Sequence, residues 1–375
     1  MPGIDTYIIK TVSWCNLNCS YCYYYNGADT SFMNRPKYMD RSVVEAAIPK
    51  MIDHCLRRGV DNIEITFHGG EPLLQPKEDC RWMMEQFDRV DQAGIRTLRK
   101  MQTNGVMFDD GWGELLSQWR TRLGFSIDGP KIAHDRFRVD HAGKGSYDRA
   151  VRGLQKALTW ADKGLQVGVV SVVDPTLSGD VAYKHLRELG VGNLNFLLPE
   201  GNYAHPPYEF TFDNPETPYG RFFAEIFDAW VAENNDEVRI RYFVEIMKGM
   251  LGQAPSTDQV GNAPVQVAVI ETDGSIEPTD NFKSCTDRLT DLGLSIFHNS
   301  FDDLYEHEFF QYCTDTSSIL PNECQACPFL DSCGAGRIST RYSEEDGFSR
   351  KTIYCADLLY LYRHVQNTLV ENGHL

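Results

Sequence analysis

Three cysteines near the start of the chain have the spacing of metal ligands. Cys15, Cys19 and Cys22 form a C-x3-C-x2-C pattern directly after the apolar run 7–12. This run predicts a β-strand, so the three thiols are expected on a loop at a strand end. Structural zinc sites usually take four ligands from paired C-x2-C knuckles, whereas iron–sulfur cubanes are held by cysteine thiolates. The spacing therefore favours a [4Fe-4S] cluster with one iron open to a cofactor over zinc or a disulfide.

The composition narrows the class of protein. The chain has 375 residues, 42% of them hydrophobic, and a net charge of −17, which argues against a nucleic-acid partner because such surfaces are basic. It contains no signal peptide and no apolar run of membrane-spanning length, and a cluster motif at residue 15 is too early for a removable leader. We therefore predict a cytoplasmic protein with no membrane partner. Eleven cysteines with metal-like spacings indicate metal or redox chemistry.

Strands and helices alternate through the first half of the sequence. Apolar periodicity predicts strands at 6–12, 62–67, 95–101, 122–127, 165–173 and 192–198. Helices are expected at 41–58, where Pro49 should kink or split the helix, and at 77–93, 109–120, 146–163 and 179–189. This alternation predicts an α/β fold with a parallel sheet, a partial (β/α)6 TIM barrel over residues 1–200, with its chemistry at the carboxyl ends of the strands.

The second half has a different organisation. Residues 201–264 are predicted to form a helical connector, with helix over 219–251 and a loop over 252–264. Residues 265–375 are expected to form a cysteine-rich domain that begins with a hairpin around Asp273-Gly274 and ends in a helix near 356–370.

A Gly-Gly-Glu-Pro sequence follows the second predicted strand. Gly69 and Gly70 would let the backbone approach a ligand closely, and Glu71 could bind an ammonium group; an ordinary turn is the alternative. Together with the cysteine pattern and the aromatic residue before its last cysteine, this motif resembles the radical S-adenosylmethionine (SAM) superfamily. The resemblance implies that the cluster chelates the amino and carboxyl groups of SAM and that one electron cleaves SAM to methionine and a 5′-deoxyadenosyl radical.

The same resemblance implies further contacts to SAM after the other strands. For three of these contacts a structural role is the alternative: Asp128 could be a cap or turn residue, Arg138 could form a surface ion pair, and Leu197 could be a core residue. The implied binding residues are the amino-group motif Gly69, Gly70, Glu71 and Pro72, the ribose and carboxylate contacts Gln102, Asn104, Ser126, Asp128 and Arg138, and the adenine contact Leu197.

Four cysteines near the carboxyl terminus form a second pattern. Cys324-x2-Cys327-x5-Cys333 followed by Cys355 resembles the SPASM domain of peptide-modifying radical SAM enzymes, and implies an auxiliary [4Fe-4S] cluster; a four-thiolate zinc site is the alternative.

The chain departs from the full SPASM pattern at two positions. Arg337 and Thr279 stand where a cluster nearer to SAM would take cysteines, and the remaining Cys285 and Cys313 are too few for a cubane. We therefore predict one auxiliary cluster. Cys55 and Cys80 lie on predicted helices, where buried apolar roles are expected.

The remaining motifs suggest a reaction. Segments 67–74, 126–130 and 138–146 resemble radical SAM/SPASM maturases, and segments 271–278, 283–285, 333–336 and 354–358 resemble the branch that forms three-residue cyclophanes in ribosomally made peptides. This resemblance implies a ribosomal precursor peptide as substrate, in which an aromatic ring carbon is joined to the β-carbon two positions later. It also implies an electron donor such as flavodoxin or ferredoxin. Candidate bases are Glu271 and Asp273, with Asp280 as a third.

Two other functions remain open from the sequence. A sulfatase-maturing enzyme, which oxidises a Cys or Ser to formylglycine, shares the barrel and motifs, although the missing auxiliary cysteines argue against it. A cluster-bearing redox sensor is the non-catalytic alternative, and it would have no need of the SAM-binding motif at residues 69–72.

Overall fold

The structure, a computed structural model, describes residues 3–253, 257, 259–260, 264–315 and 319–375. The strands in chain order are β1 (Thr6–Val12), β2 (Asn62–Gly69), β3 (Arg96–Thr103), β4 (Arg122–Ser126), β5 (Gln166–Val172), β6 (Asn193–Leu197), β7 (Arg239–Ile240), β8 (Val267–Ile270) and β9 (Ile276–Glu277). Of the helices in the described ranges, none is long and apolar enough to cross a membrane.

The α-helices follow the predicted alternation with the strands in the first half of the chain. In chain order they are α1 (Arg41–Arg58), α2 (Lys77–Gln92), α3 (Asp110–Gln118), α4 (Lys131–Phe137), α5 (Tyr147–Leu158), α6 (Gly179–Glu188), α7 (Pro218–Glu233), α8 (Arg241–Met250), α9 (Phe301–Tyr305), α10 (Glu308–Thr314), α11 (Asn322–Gln325), α12 (Leu330–Cys333) and α13 (Cys355–Glu371).

The chain forms two compact units, each assembled from separate segments. The first comprises Met1–Ser126, Arg138–Gly168 and Gln266–Tyr312. Its strands have the order β4-β3-β2-β1-β8-β9, parallel except for the hairpin between β8 and β9. The predicted hairpin is therefore present, and it extends the sheet through parallel pairing of β8 with β1. The predicted boundaries 1–200, 201–264 and 265–375 stay a prediction.

Side chains alternate across the strands of the first unit and so define an inner face. Tyr7 points to the helical side, where its ring lies 4.9 Å from that of Phe301, and Phe67 packs on Phe87 of α2 at 5.7 Å. Because neighbouring residues in a strand face opposite ways, Lys10 of β1 and His68 of β2 lie on the other face, and the strand register places them side by side. The inner face thus carries polar groups near the strand ends.

Helix α1 runs without interruption from Arg41 to Arg58, so of the two predicted effects of Pro49 the split is wrong, and the kink stays a prediction. Pro49 is on the exposed face of the helix. Ile48 and Met51, on either side of it in the chain, are buried, and their packing holds the helix in position. The helix ends as expected at Gly59, which has a left-handed φ of 69°.

The second unit comprises Ile127–Phe137, Val169–Val265 and Cys313–Leu375. Within it β7 pairs in parallel with β6, and α7 packs on α6 and α13. The predicted helix 219–251 is divided into α7 and α8 by the short β7, which the sequence analysis missed, as it missed α4. Most of the predicted loop 252–264 lies outside the described residues.

Candidate iron–sulfur and cofactor site

The first three cysteines lie, as predicted, on the loop after β1 in the first unit. All are free thiols, and the Leu17 amide is 3.4 Å from Cys15 Sγ. Burial raises the pKa of Cys15, and the charges of Glu71, Cys19 and Cys22 raise it further. Buried thiols that raise each other's pKa become thiolates when a metal centre supplies positive charge. The residues present therefore fit a thiolate-bound cluster.

The two glycines of the Gly-Gly-Glu-Pro motif allow close contact within the protein. Gly69 has a φ of 150°, and a Cβ there would collide with the Val12 carbonyl oxygen. A Cβ at Gly70 would collide with the Trp14 carbonyl oxygen and the Tyr25 hydroxyl. The glycines therefore let β2 lie against the start of the cluster loop, in addition to any role toward SAM.

Glu71 is 1% exposed and ties two loops together. Its carboxylate accepts hydrogen bonds from the Leu73 amide at 3.0 Å, the Thr103 hydroxyl at 2.6 Å and the Asn104 amide at 2.7 Å. Burial raises the pKa of Glu71 to about 7, although these hydrogen bonds oppose the rise. Pro72 begins a short 3-10 helix that Glu71 caps. Binding of the SAM ammonium by Glu71 stays a prediction.

The polar groups predicted after β3 and β4 lie around the cluster loop. The side-chain amide of Asn104 donates to Asn16 Oδ1 at 2.7 Å, and its nitrogen lies 3.7 Å from Cys15 Sγ. Gln102 belongs to β3 rather than to the following loop, because the strand runs to Thr103, and its amide donates to the Ser126 hydroxyl at 2.9 Å. Gln102, Asn104 and Ser126 thus belong to the same unit as the three cysteines.

The other predicted SAM contacts have visible structural roles. The Asp128 carboxylate accepts from the Val172 amide at 2.9 Å and so joins the segment after β4 to the end of β5, which is a structural role other than the predicted cap. The Arg138 guanidinium lies 5.3 Å from the centre of the Tyr21 ring, next to the cluster loop. Leu197, at the end of β6, is half-buried and lines a small cavity of the second unit. Their contacts with SAM remain predictions.

The four carboxyl-terminal cysteines all belong to the second unit. Burial, together with the charges of Cys355, Cys324 and Cys327, raises the pKa of Cys333 to about 12. Burial and the charges of Cys355 and Cys327 raise the pKa of Cys324 to about 11. These effects of neighbouring thiols fit one auxiliary cluster. Across the described residues, no three His, Cys, Asp or Glu side chains meet at one position as ligands of a single metal ion.

The hairpin that lacks the expected cysteine is held by buried charges. Arg35 pairs with Glu271 at 2.6 Å and with Glu277, and Lys283 pairs with Glu277 at 2.8 Å. The Tyr24 hydroxyl donates to Glu271 at 2.9 Å. These five residues, the Arg35 network, join the segment after the cluster loop to the hairpin. Burial raises the pKa of Glu271, as does the neighbouring charge of Glu277, while Arg35 and Lys283 lower it.

The residues around the hairpin do not fit a second auxiliary cluster. Thr279 is buried behind the hairpin, and Arg337, at the other cysteine position, is paired with Glu200 in the second unit. Cys285 is completely buried. Paired charges in place of thiolates therefore agree with the prediction of one auxiliary cluster.

Two residues that the sequence analysis did not assign, Lys10 and His68, lie beside this network with the candidate base Asp280. Lys10 is ion-paired with Asp280 and lies 3.3 Å from His68 Nδ1. Burial, together with the Lys10 charge, lowers the pKa of His68 to about 4. Burial alone would raise the pKa of Asp280, but Lys10 and His68 hold it well below its usual range. The available signal was a lysine within an apolar strand, which has to find a buried partner.

Asp273 and Glu271, the first two candidates for a base, differ in accessibility. Glu271 is fully buried; Tyr24 donates to its Oε2, and its Oε1 lies 2.6 Å from Arg35 without accepting a hydrogen bond. The Asp273 side chain is 36% exposed and lies 3.6 Å from Arg35. The roles of Glu271 and Asp273 as catalytic bases stay predictions.

Comparisons with known proteins agree with this site. The family model described as the Radical SAM superfamily matches residues 9–190. A cysteine-type anaerobic sulfatase-maturating enzyme of Clostridium perfringens is 27% identical over 364 residues, which cover 95% of this chain and 94% of the relative. A serine-type anaerobic sulfatase-maturating enzyme of Bacteroides thetaiotaomicron is 24% identical, and the match covers 94% of this chain and 86% of that protein.

A solved structure is similar over the same extent. Native anSMEcpe with bound AdoMet superimposes with a TM-score of 0.83 at 24% identity, covering 98% of each chain. This similarity confirms the predicted radical SAM α/β fold with its parallel sheet, and the cysteine-rich carboxyl terminus is consistent with a SPASM-like domain.

The prediction of a cyclophane-forming enzyme is wrong. The relatives that match almost the whole chain include enzymes named for sulfatase maturation, of both a cysteine and a serine type. The hairpin residues on which the cyclophane resemblance depended have structural roles here, because Glu271 and Glu277 are bound within the Arg35 network. Such residues hold the fold in place, so they do not distinguish one peptide-modifying reaction from another.

Proposed function

We propose that this chain, which is a radical SAM enzyme, oxidises a Cys or Ser side chain of a protein substrate to formylglycine. The observation that carries the proposal is the match to a sulfatase-maturating enzyme over 95% of this chain and 94% of that relative. A match of this extent includes both the cluster loop and the carboxyl-terminal cysteines. It supports the sulfatase-maturing alternative considered above, with a peptide segment as substrate.

The chain has residues for the required cofactors. When bound, a cluster on Cys15, Cys19 and Cys22 with SAM supplies the 5′-deoxyadenosyl radical that takes a hydrogen atom, and an auxiliary cluster supplies an acceptor for the released electron. The side-chain amide of Asn104 contacts Cys15 Sγ and Asn16 Oδ1, and so helps to hold Cys15 in position. The hydrogen bond from the Asn104 backbone amide to Glu71 fixes the start of the loop after β3.

The substrate loses one hydrogen atom from Cβ, one electron and one proton from its thiol or hydroxyl. With Ser this produces the aldehyde directly. With Cys it produces a thioaldehyde, which water hydrolyses to the aldehyde with release of hydrogen sulfide. The protein must therefore supply an acceptor for the thiol or hydroxyl proton, within reach of the substrate.

We assign the proton acceptor to Asp280. Its carboxylate is buried and paired with Lys10, so it is ionised at neutral pH. Lys10 and His68 lie on the inner face of the sheet, and His68 is neutral at that pH. Lys10 thus keeps Asp280 deprotonated and able to accept a proton, while the same ion pair makes the carboxylate a weaker base. Glu271, by contrast, is held within the Arg35 network by Arg35 and Tyr24.

The test uses two peptides that differ only in one residue, a sulfatase active-site segment with Cys and the same segment with Ser. Anaerobic reaction with SAM and dithionite should produce an aldehyde at that residue, detected by mass spectrometry and by hydrazide labelling. Asp280→Asn should still form 5′-deoxyadenosine but lose aldehyde formation, whereas the control Asp273→Asn should retain it. Formation of 5′-deoxyadenosine with neither peptide modified would reject the proposed reaction.

A further inference from the structure

An aromatic and cationic patch lies on the surface of the first unit. Trp14 is 43% exposed and Tyr38 is 41% exposed, although both are large aromatic residues. Lys37 Nζ lies 4.4 Å from the centre of the Trp14 ring and 5.2 Å from that of Tyr38. The His141 ring is parallel to Trp14, with 6.4 Å between ring centres. We call these four residues the Trp14 patch.

The patch is joined directly to the cluster loop. Trp14 precedes Cys15 in the chain, and His141 Nε2 donates to the Cys15 carbonyl oxygen at 2.9 Å. The Ser13 amide donates to the Lys37 carbonyl oxygen at 3.0 Å, which fixes the lysine segment against the start of the loop. A cavity of about 460 Å³ is lined by Trp14, Lys37 and His141 together with Cys15. The Trp14 patch therefore covers the first predicted cluster ligand.

The charge of the patch is opposite to that of the chain. The protein has 53 acidic residues against 36 lysines and arginines, a net charge of −17. The described residues that line the cavity include Arg35, Lys37 and His141 and no acidic residue. Arg35 is paired with Glu271 and Glu277 within its own network, so the exposed positive charge of the patch is that of Lys37. An exposed lysine with no acidic residue in the lining favours an acidic partner, and exposed aromatic residues are typical of interface centres.

We propose that the Trp14 patch is the docking surface for an acidic redox protein that reduces the cluster of Cys15, Cys19 and Cys22. The proposal rests on the radical SAM chemistry and not on the identity of the substrate. Each docking event would transfer one electron: the redox group of the carrier is oxidised by one electron and the cluster is reduced by one, with no bond formed or broken. Flavodoxin, a small acidic carrier, is the probe.

Binding is the first test. Isothermal titration of flavodoxin into the holoenzyme should show dissociation constants that rise with salt, and Lys37→Glu should weaken binding roughly tenfold at low salt. The matched control is Lys163→Glu, because Lys163 also lies over a tryptophan, 3.9 Å from the Trp160 ring centre, and it should bind flavodoxin as the wild type does. Equal affinities of the wild type and Lys37→Glu would overturn the proposal.

Reduction is the second test. With flavodoxin as donor, Lys37→Glu should form 5′-deoxyadenosine roughly tenfold more slowly at subsaturating carrier; with dithionite it should match the wild type, at unchanged iron content. A decrease with both donors would mean damage to the cluster site and would overturn docking. Weaker binding of the substrate peptide with unchanged flavodoxin binding would assign the patch to the peptide instead. Neither assay requires aldehyde formation, so failure of the proposed oxidation would be recognised separately.

Discussion

The buried pair of Lys10 and Asp280 is predicted to show strong energetic coupling. The two side chains are 1% and 9% exposed, so water screens the pair very little. Replacing Lys10 with Met leaves a carboxylate without its cation, and replacing Asp280 with Asn leaves a buried ammonium beside the His68 ring, 3.3 Å away. Breaking a buried pair on one side typically costs about 3–5 kcal/mol of unfolding free energy.

The double variant should recover much of this loss. Lys10→Met and Asp280→Asn together leave no uncompensated charge, so we expect a coupling energy of about 2–3 kcal/mol between the two sites. The assay is urea denaturation of the cluster-free protein under reducing conditions, followed by circular dichroism and fluorescence, so that cluster loss does not enter the transition. Both probes should give the same midpoint for each variant.

An exposed pair provides the control. Lys184 and Asp180 are 2.6 Å apart on α6, with side chains 65% and 36% exposed, and their coupling should be only about 0.3–0.5 kcal/mol. Additive effects of the Lys10 and Asp280 substitutions, each below about 1 kcal/mol, would refute the reasoning, because they would show that the pair is solvated or not formed.

Three further predictions follow from other parts of the site. Reconstituted protein should hold about eight iron atoms per chain, as two cubanes do; Cys285→Ser should leave this number unchanged and Cys324→Ser should halve it, whereas about twelve would mean that a second auxiliary cluster forms. Because the pKa of His68 is lowered from 6.5 to about 4 in the folded protein, the unfolded chain binds a proton first as the pH falls. The unfolding free energy of cluster-free protein, measured by urea denaturation, should therefore decrease by about 2–3 kcal/mol from pH 6.5 to 4. His68→Gln should remove this part of the decrease, and the same pH dependence in wild type and variant would be the contrary result. Gly70→Ala should lose most of its iron because the added Cβ displaces the cluster loop. Gly94→Ala strains the backbone at a left-handed φ of 87°, but its Cβ would meet no atom within 4 Å, so this variant should keep its iron. Equal iron contents would contradict the close contact at Gly70.

The local features of the fold could be predicted because they depend on neighbouring residues. The strand before the cysteines, the stop at Gly59 and the hairpin at residues 273–274 each follow from short-range patterns and were observed. The parallel pairing of β8 with β1 joins segments about 260 residues apart, and no local pattern specifies such a partner. The continuity of α1 through Pro49 depends on packing of its buried face, which outweighs the local effect of proline.

Candidate ligands of the site could be proposed from the sequence, whereas the residues that support them could not. Cysteine spacing identifies candidate cluster ligands because the ligands are close in sequence. The acidic partners of Arg35 and Lys10 are more than 200 residues away, so their pairing appears only in the folded chain. Glu71 was assigned to a ligand from its motif, whereas its hydrogen bonds to Thr103 and Asn104 show that it also holds the protein's own backbone. The reaction was wrongly predicted because segments such as 271–278 serve structure as well as specificity.

The most direct test of the central claim is tandem mass spectrometry of the matched Cys and Ser peptides after anaerobic reaction with the holoenzyme and SAM. We predict that at least one of them acquires an aldehyde at the varied residue, with 5′-deoxyadenosine formed in step and, for Cys, hydrogen sulfide released. A new carbon–carbon crosslink, or an unmodified peptide with continued formation of 5′-deoxyadenosine, would contradict the claim that this enzyme produces formylglycine.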